Sequence, residues 1–584
     1  MGFSPLIKVD GQPLPQDWLN SLIEVRVERA FQVPARCTLR FVDDDYLLAQ
    51  ANLIKMASAI VVALPDQSAI AHVEVTGFAI EQLPSSMSEL VVIAHDKSHR
   101  MARSTKVTTH NAMSYSDVVT QIIGESGLSA RVTSTDRQLD YIFQVDSDLA
   151  FITEIANRVG FDWWVDDDTF IFAPPSPNSS KVTLTRGELE TFSVRATGHR
   201  PDEANVVGWD SKQQETVEGS AFITSATTVP SSAFAGLVGP NKTPFGSAKV
   251  VTAGLSAGVV EEAQELGDAL TSRWMASAVT AKGVTGADAK LKPGATVTIE
   301  ECGPLNGDYH LTAVEHVMSG AGMFTRFTAG DRAPTSLVDT LGRSGHQDIA
   351  GNIEHGALAV GIVTNINDPD QRGRVKVRFP GLSESSESAW ARLTALGGGA
   401  DRGMVFIPEV NDEVLVGFES GDVRQPVVIG GLYGQKSGIP TWDVADGIVG
   451  ARRITSRVGH YIELGDGDGD TKQHLLLMLK GDAHKLRLGK DRFDLELPAQ
   501  KEMLIKVGDS TIEIKANGDL ALAAPNINLK ATADVKIEGV NVTIAATAKF
   551  AAEGKGTAEL KGASVTVEGQ ANVAVKASGM VQIN

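Results

Sequence analysis

The chain has 584 residues, 42% of them hydrophobic and 21% charged, a globular composition whose length predicts about three or four domains, each able to bury a core. The formal net charge of −19 argues against a nucleic-acid partner, because phosphate binding needs a basic surface. The two cysteines, Cys37 and Cys302, lie too far apart for zinc-ligand spacing, and no disulfide is expected between them.

The first ten residues lack a basic segment followed by a long apolar one, so no signal peptide is expected. No later apolar run approaches the ~18 residues of a membrane-spanning helix. Residues 22–28 alternate, with Ile23, Val25 and Val27 on one face, and read as a strand. Residues 36–42, 73–78 and 90–94 read as further strands. Two helices are expected. One spans 116–123, with Val118, Val119, Ile122 and Ile123 at helical spacing and Gly124 or Gly127 as its stop. The other spans 148–159, capped by Ser147, ended by Gly160, with Leu149, Ile152, Ile155, Ala156 and Val159 on one stripe. Aromatic strands around Phe161-Asp162-Trp163-Trp164-Val165 and Phe170-Ile171-Phe172 flank an acidic turn, a hairpin pattern.

Residues 357–433 read as a small all-β module. A strand over 357–365 leads to the turn Asn367-Asp368-Pro369-Asp370. Then Arg374-Val375-Lys376-Val377-Arg378-Phe379 alternates apolar and cationic residues. Strands are expected at 389–393, 404–408, 413–418 and 427–432, with Pro408 and Pro426 at strand edges. Five or six short strands fit an OB-type barrel. Arg374, Lys376 and Arg378 form its only cationic row and read as a solvated or partner-facing strand face, without the exposed aromatics of a nucleic-acid groove.

The ordered run Gly361-Ile362-Val363-Thr364-Asn365, Asp368-Pro369, Gly373-Arg374-Val375-Lys376-Val377-Arg378-Phe379-Pro380, Trp390-Ala391-Arg392, Ile407-Pro408-Glu409-Val410, Asp412-Glu413-Val414-Leu415-Val416-Gly417-Phe418-Glu419 and Pro426-Val427-Val428-Ile429-Gly430 resembles the OB domain of the VgrG and phage baseplate spike family of contractile injection systems. The 147–172 segment and the late strands Gly307-Asp308-Tyr309-His310-Leu311 and Phe324-Thr325-Arg326-Phe327 look like the hub of the same family. The resemblance implies a hub over 1–350 with two similar β-barrel-like halves and helical insertions. It also implies a homotrimer that docks on tube and baseplate proteins.

Residues 434–450 read as a linker. Gly431-Leu432-Tyr433-Gly434-Gln435-Lys436-Ser437 imitates a phosphate loop, but Gln435 separates glycine from lysine. Asp466-Gly467-Asp468-Gly469-Asp470 invites a calcium reading, yet Thr471 and Leu477 stand where an EF-hand needs glycine and glutamate. A hairpin turn between strands at 461–464 and 474–479 is expected instead. His95 and His99, four apart, follow a strand rather than sharing a helix face, so no metal is expected there. Asp166-Asp167-Asp168 reads as a solvated turn.

The remainder of 451–584 is repetitive. Apolar pairs two residues apart recur as Ile512/Ile514, Leu520/Leu522, Ile527/Leu529, Val535/Ile537, Val542/Ile544, Val565/Val567, Val573/Val575 and Val581/Ile583. Steps of seven or eight residues, with Gly, Asn and Asp at corners, fit a β-solenoid or β-prism, not a sandwich. One strand per step gives a narrow apolar stripe that three chains around one axis close better than one. A monomeric three-sided solenoid is the alternative.

The expected architecture is mainly β with a few helices: N-terminal hub β-barrels, a central OB-type barrel and a C-terminal trimeric β-helix or β-prism needle. The expected function is a non-catalytic spike joining tube and baseplate to a membrane-piercing needle, with no cofactor. The fourteen pair residues from Ile512 to Val575 form the needle core. Met580, Val581, Gln582, Ile583 and Asn584 contact a tip protein, which the family implies is PAAR-like. Effector cargo on the tip and the target-cell membrane complete the expected partners. The chain is expected to be made in the bacterial cytoplasm and delivered outward within the particle. The weighed alternatives are a receptor-binding phage fibre and a spike carrying a peptidoglycan hydrolase. Phage tail, type VI secretion system and extracellular particle remain open as the owner.

Overall fold

The structure is a computed structural model that describes residues 5–84, 87–176, 180–198, 200–210, 213–223, 232–238, 245–253, 257–330, 358–380, 387–441, 443–469, 472–482 and 484–583. It is predominantly β and falls into two compact units, 1–439 and 440–584. Both cysteines are free.

In the first unit, the alternation near residue 25 becomes the strand Leu22–Ala30, with Val25 and Val27 fully buried. It pairs with Val33–Val42 on one side (Val25 opposite Leu39) and with Gly307–Ser319 on the other (Val25 opposite Met318). That second ladder fuses two halves into one sheet, in the order Leu189–Ala196, Val279–Gly286, Gly322–Ala329, Gly307–Ser319, Leu22–Ala30, Val33–Val42, Ser88–His95, Ala69–Gln82, Ala59–Ala63, Leu6–Val9, Gln12–Pro13. Each half closes its own core. Trp18, Leu39, Phe41 and Ile60 fill one; Val297, Tyr309, Leu311 and Phe327 fill the other.

Among the described residues, five α-helices decorate this frame: α1 Gln16–Ser21, α2 Leu47–Ala51, α3 Tyr115–Ser126, α4 Asp148–Val159 and α5 Val260–Ala278. Helix α3 starts at a capping box of Ser114 and Asp117, runs through Gly124 and stops at Gly127, whose φ of 78° suits glycine. Helix α4 has the expected limits, with Ser147 accepting the amide of Ala150 and Gly160 at φ 72°. Their apolar stripes meet Trp163, which stacks on Phe170 at 5.1 Å between ring centroids in the hairpin Asp162–Asp166/Thr169–Ala173.

Helix α5 is the longest among the described residues, and periodicity did not announce it. It lies on a sheet of Glu203–Asp210, Glu215–Phe222 and Lys249–Ala253, with Ala263, Leu266 and Leu270 against Ala204, Val206 and Val217. The approach is so close that a Cβ at Gly219 would overlap the backbone of Ala263 and Gln264. Gly219→Ala is therefore expected to cost about 1–3 kcal/mol by overpacking, read from the shift of a denaturation midpoint. Gly124→Ala, in open space on α3, is expected to leave stability unchanged or raise it by up to ~1 kcal/mol.

The barrel is a five-stranded sheet in the order Lys376–Arg378, Ala359–Asn365, Glu413–Phe418, Pro426–Gly431, Arg392–Leu393. Val375, Val377 and Phe379 are buried with Val363, Ala391, Val414, Val416 and Val428. Residue 357, the expected start of the first strand, lies outside the described residues. Two expected strands are corrected. The segment 389–393 shrinks to Arg392–Leu393. Residues 404–408 form no strand, and Val405 and Phe406 lie exposed.

The second unit opens with a small hairpin, Val444–Ala445/Ile448–Val449. A five-stranded antiparallel meander follows: Ala451–Thr455, Tyr461–Asp466, Gln473–Met478, Lys485–Gly489, Phe493–Glu496. Its second and third strands are the expected hairpin; Asp470 and Thr471 of the turn lie outside the described residues. A three-stranded sheet, Met503–Val507, Ser510–Ile514 and Leu520–Ala523, carries the first two apolar pairs. From residue 524 to 583, among the described residues, the chain makes no ladder with itself.

Candidate functional surfaces, an exposed repeat and a buried joint at Glu262

The fourteen residues expected to form the needle core are not buried in the single chain. Ile512, Ile514, Leu520, Leu522, Ile527, Leu529, Val535, Ile537, Val542, Ile544, Val565, Val567, Val573 and Val575 are all exposed, from 39% at Ile514 to 72% at Leu529. The reason is geometric. A single strand per step offers one wall, so these side chains, Ile544 and Val567 among them, meet no facing wall within their own chain. Within a pair the two apolar side chains share a face and the residue between them faces away. Lys536, between Val535 and Ile537, shows the pattern, and its ammonium pairs with Glu538. From Ile527 onward, a regular apolar stripe thus runs along a backbone without intrachain ladder partners among the described residues. Unpaired amides and carbonyls beside exposed apolar side chains are what another strand needs for docking. Of the expected tip residues, Met580, Val581, Gln582 and Ile583 are exposed, and Asn584 lies outside the described residues.

The second surface was not foreseen. Glu262, in the first turn of α5, is buried and binds three arginines from distant segments. Its Oε1 accepts from Arg158 of α4 at 2.7 Å and from Arg424 of the barrel at 2.9 Å, with Arg137 at 3.5 Å. Its Oε2 accepts the amide of Gly258 at 3.2 Å. Asp422 holds Arg424 from the barrel side at 2.9 Å. Burial alone would raise the carboxyl pKa. Arg424, then Arg158 and Arg137, outweigh it and bring Glu262 down to about 2. The Tyr141 hydroxyl adds a second tie, donating to the carbonyl of Glu387 in the barrel at 3.0 Å. This arrangement fixes geometry; it offers no nucleophile beside a base. No local motif marks it, since residues 158, 262 and 424 meet only through the tertiary fold.

The remaining candidates have structural partners. His95 Nδ1 lies 2.7 Å from the Thr76 hydroxyl, and His99 Nε2 lies 2.7 Å from Glu74. Asp166 pairs with Arg29 and Lys292, and Asp168 with Lys97. Arg374 is held by Asp368 at 2.7 Å and Lys376 sits beside Glu387 at 3.5 Å, both cations lying over the Trp390 ring. Among the described residues, no group of three or more His, Cys, Asp or Glu side chains could hold a metal.

Residues 359–433 match the type VI secretion system/phage-baseplate injector OB domain. The spike protein VgrG5 of Pseudomonas aeruginosa is 45% identical over 75 residues, 12% of this chain and 10% of that protein. The spike protein VgrG3 of Vibrio cholerae is 40% identical over 68 residues, 11% and 7% of the respective chains. The matched stretch thus spans about a tenth or less of those relatives' length. A chain of the Francisella PdpA–VgrG complex in its half-lidded form shares the fold with a TM-score of 0.50 at 8% identity, over 84% of this chain and 87% of that one. The VgrG-like resemblance is borne out. The Alg8 N-terminal domain model matches residues 5–320, more than half of the chain, and the chain belongs to that family.

Proposed function

We propose that this chain is the non-catalytic central spike of a contractile injection apparatus. Residues 1–350 serve as hub on tube and baseplate proteins, 357–433 as barrel collar, 434–450 as linker and 451–584 as needle. Three copies close the needle around the fourteen apolar pair residues. The end of the repeat, Met580 to Asn584, meets a PAAR-like tip protein that carries effector cargo. The spike transmits force to a small area of the target-cell membrane, and many ladder hydrogen bonds that break together resist shear. Assembly starts in the bacterial cytoplasm; among the described residues no helix is long and apolar enough to cross a membrane.

The observation that carries this reading is the exposed apolar repeat, without intrachain ladders among the described residues from 524 to 583, downstream of an injector OB domain. Hydrogen exchange tests it. Amides from 527 to 583 are expected to be strongly protected in the assembled protein, because ladders between copies cover them. Exchange at free-chain rates across that span would contradict it.

A further inference from the structure

The repeat has a weakness that its own period creates. Apolar pairs recur every seven or eight residues, so sliding one chain by a step against its neighbours again places apolar on apolar. Register is weakly specified in such a sequence, and a slipped trimer loses only an end repeat. Something outside the repeat has to set the register.

The meander from Ala451 to Glu496 is the segment built for that task. It folds by intrachain ladders, and its sequence does not repeat. Its cross-strand pairs sort by face. On one face, Ile454 lies opposite Ile462, Ile462 opposite Leu477, Leu477 opposite Leu486 and Leu486 opposite Leu495. Beside that row runs a second, from Leu464 through Leu475 and Leu488 to Phe493. Of these nine side chains, all but the half-buried Leu486 are exposed.

The opposite face satisfies itself. Glu463 is held by Arg453 and by His474 at 3.0 Å, and Asp494 by Arg492 and by Arg487 at 3.9 Å. Arg453 also lies over the Tyr461 ring at 3.8 Å. One face is therefore closed by its own charges, and the other presents on the order of several hundred Å² of apolar surface. That approaches the ~800 Å² a partner contributes to a stable interface and exceeds what a monomer ordinarily leaves bare.

The occupant follows from continuity. The next sheet carries apolar rows of the same kind, Ile505–Ile512–Leu522 and Met503–Ile514–Leu520, which lead into the unpaired repeat. An apolar face that continues into a stripe closed by two further copies meets those same copies.

We propose that the apolar face of the 451–496 meander packs against its counterparts in two further copies of this chain and sets the register in which the repeat strands pair. The inference rests on the trimeric reading. The meander does not repeat along the chain and carries one phenylalanine on this face, so one alignment of three copies matches Phe493 and each row to its neighbours. The repeat then zips from that fixed start.

The test uses the full chain with Cys302→Ala, leaving Cys37 buried, and single reporters Val565→Cys or Val573→Cys, one step apart. Preparations carrying the two reporters are unfolded and refolded together, then oxidised. In the native background, crosslinks are expected between like positions only. Placing Leu475→Glu and Leu477→Glu on the apolar face is expected to raise 565–573 crosslinks from background to the order of the like pairs, or to abolish the trimer. Arg487→Glu, on the charged face, is expected to keep the trimer and like-only crosslinks. Like-only crosslinks in the Leu475→Glu/Leu477→Glu chain would overturn the registration role while leaving the trimer standing. Loss of register or of the trimer in Arg487→Glu as well would also overturn it. A native background that is monomeric would overturn the trimeric reading itself.

Discussion

Glu262→Gln is expected to lower the stability of the first unit by about 3–5 kcal/mol, the range for breaking a buried ion pair from one side. The substitution keeps the side chain's shape and removes the charge that Arg158, Arg424 and Arg137 share. The sign with pH follows from linkage. The folded carboxyl sits at about 2 against an ordinary 4.5, so the charge contributes stability above the ordinary value. That contribution, on the order of 3 kcal/mol, fades as pH falls from about 4.5 through about 2. Denaturant titrations of native and Glu262→Gln protein should differ most near neutral pH and converge on acidification. A pH-independent difference would show that charge is not what holds the joint. Hydrogen exchange in the barrel should report the same substitution, because Arg424 and Asp422 lose their link to α5.

Ile527→Asp combined with Val542→Asp is expected to abolish the assembled needle. In a single exposed chain two such changes cost little, within about 0.5 kcal/mol each. In a closed trimeric core each change buries three carboxylates at one level, at several kcal/mol per unpaired charge. The assembled mass should therefore collapse while the first unit keeps its thermal transition. Lys536→Asp, on the residue facing away from the stripe, should leave assembly intact. A double variant that assembles like the native chain would remove these residues from any core.

Much of this was legible because local physics was strong. The 148–159 helix has an apolar stripe, a serine cap and a terminal glycine, and the structure ends it at the same residues. The barrel was readable from the alternation of Val375, Val377 and Phe379, all of which are buried. The period of the repeat was plain in the sequence, but its pairing is absent from one chain because a strand exists only with a partner. Pairs such as Val542/Ile544 and Val565/Val567 therefore stand exposed in one chain. What escaped lacked a local signal. The buried stripe of α5 is partly Ala263, Gly267 and Ala269, small residues chosen for close approach to a sheet, so its contrast with the polar face is weak. The Glu262 joint depends on three segments brought together by the tertiary fold. The expected strand at 404–408 has the right composition and no ladder partner, and composition alone did not decide it.

The measurement that bears most directly on the account is the solution mass of the full chain by light scattering, beside the chain ended after Gly450. Three times the 61.9 kDa of one chain is expected for the former, with the trimer weakened or lost in the latter. A stable particle of 61.9 kDa at working concentrations would contradict it and return the repeat to a monomeric solenoid.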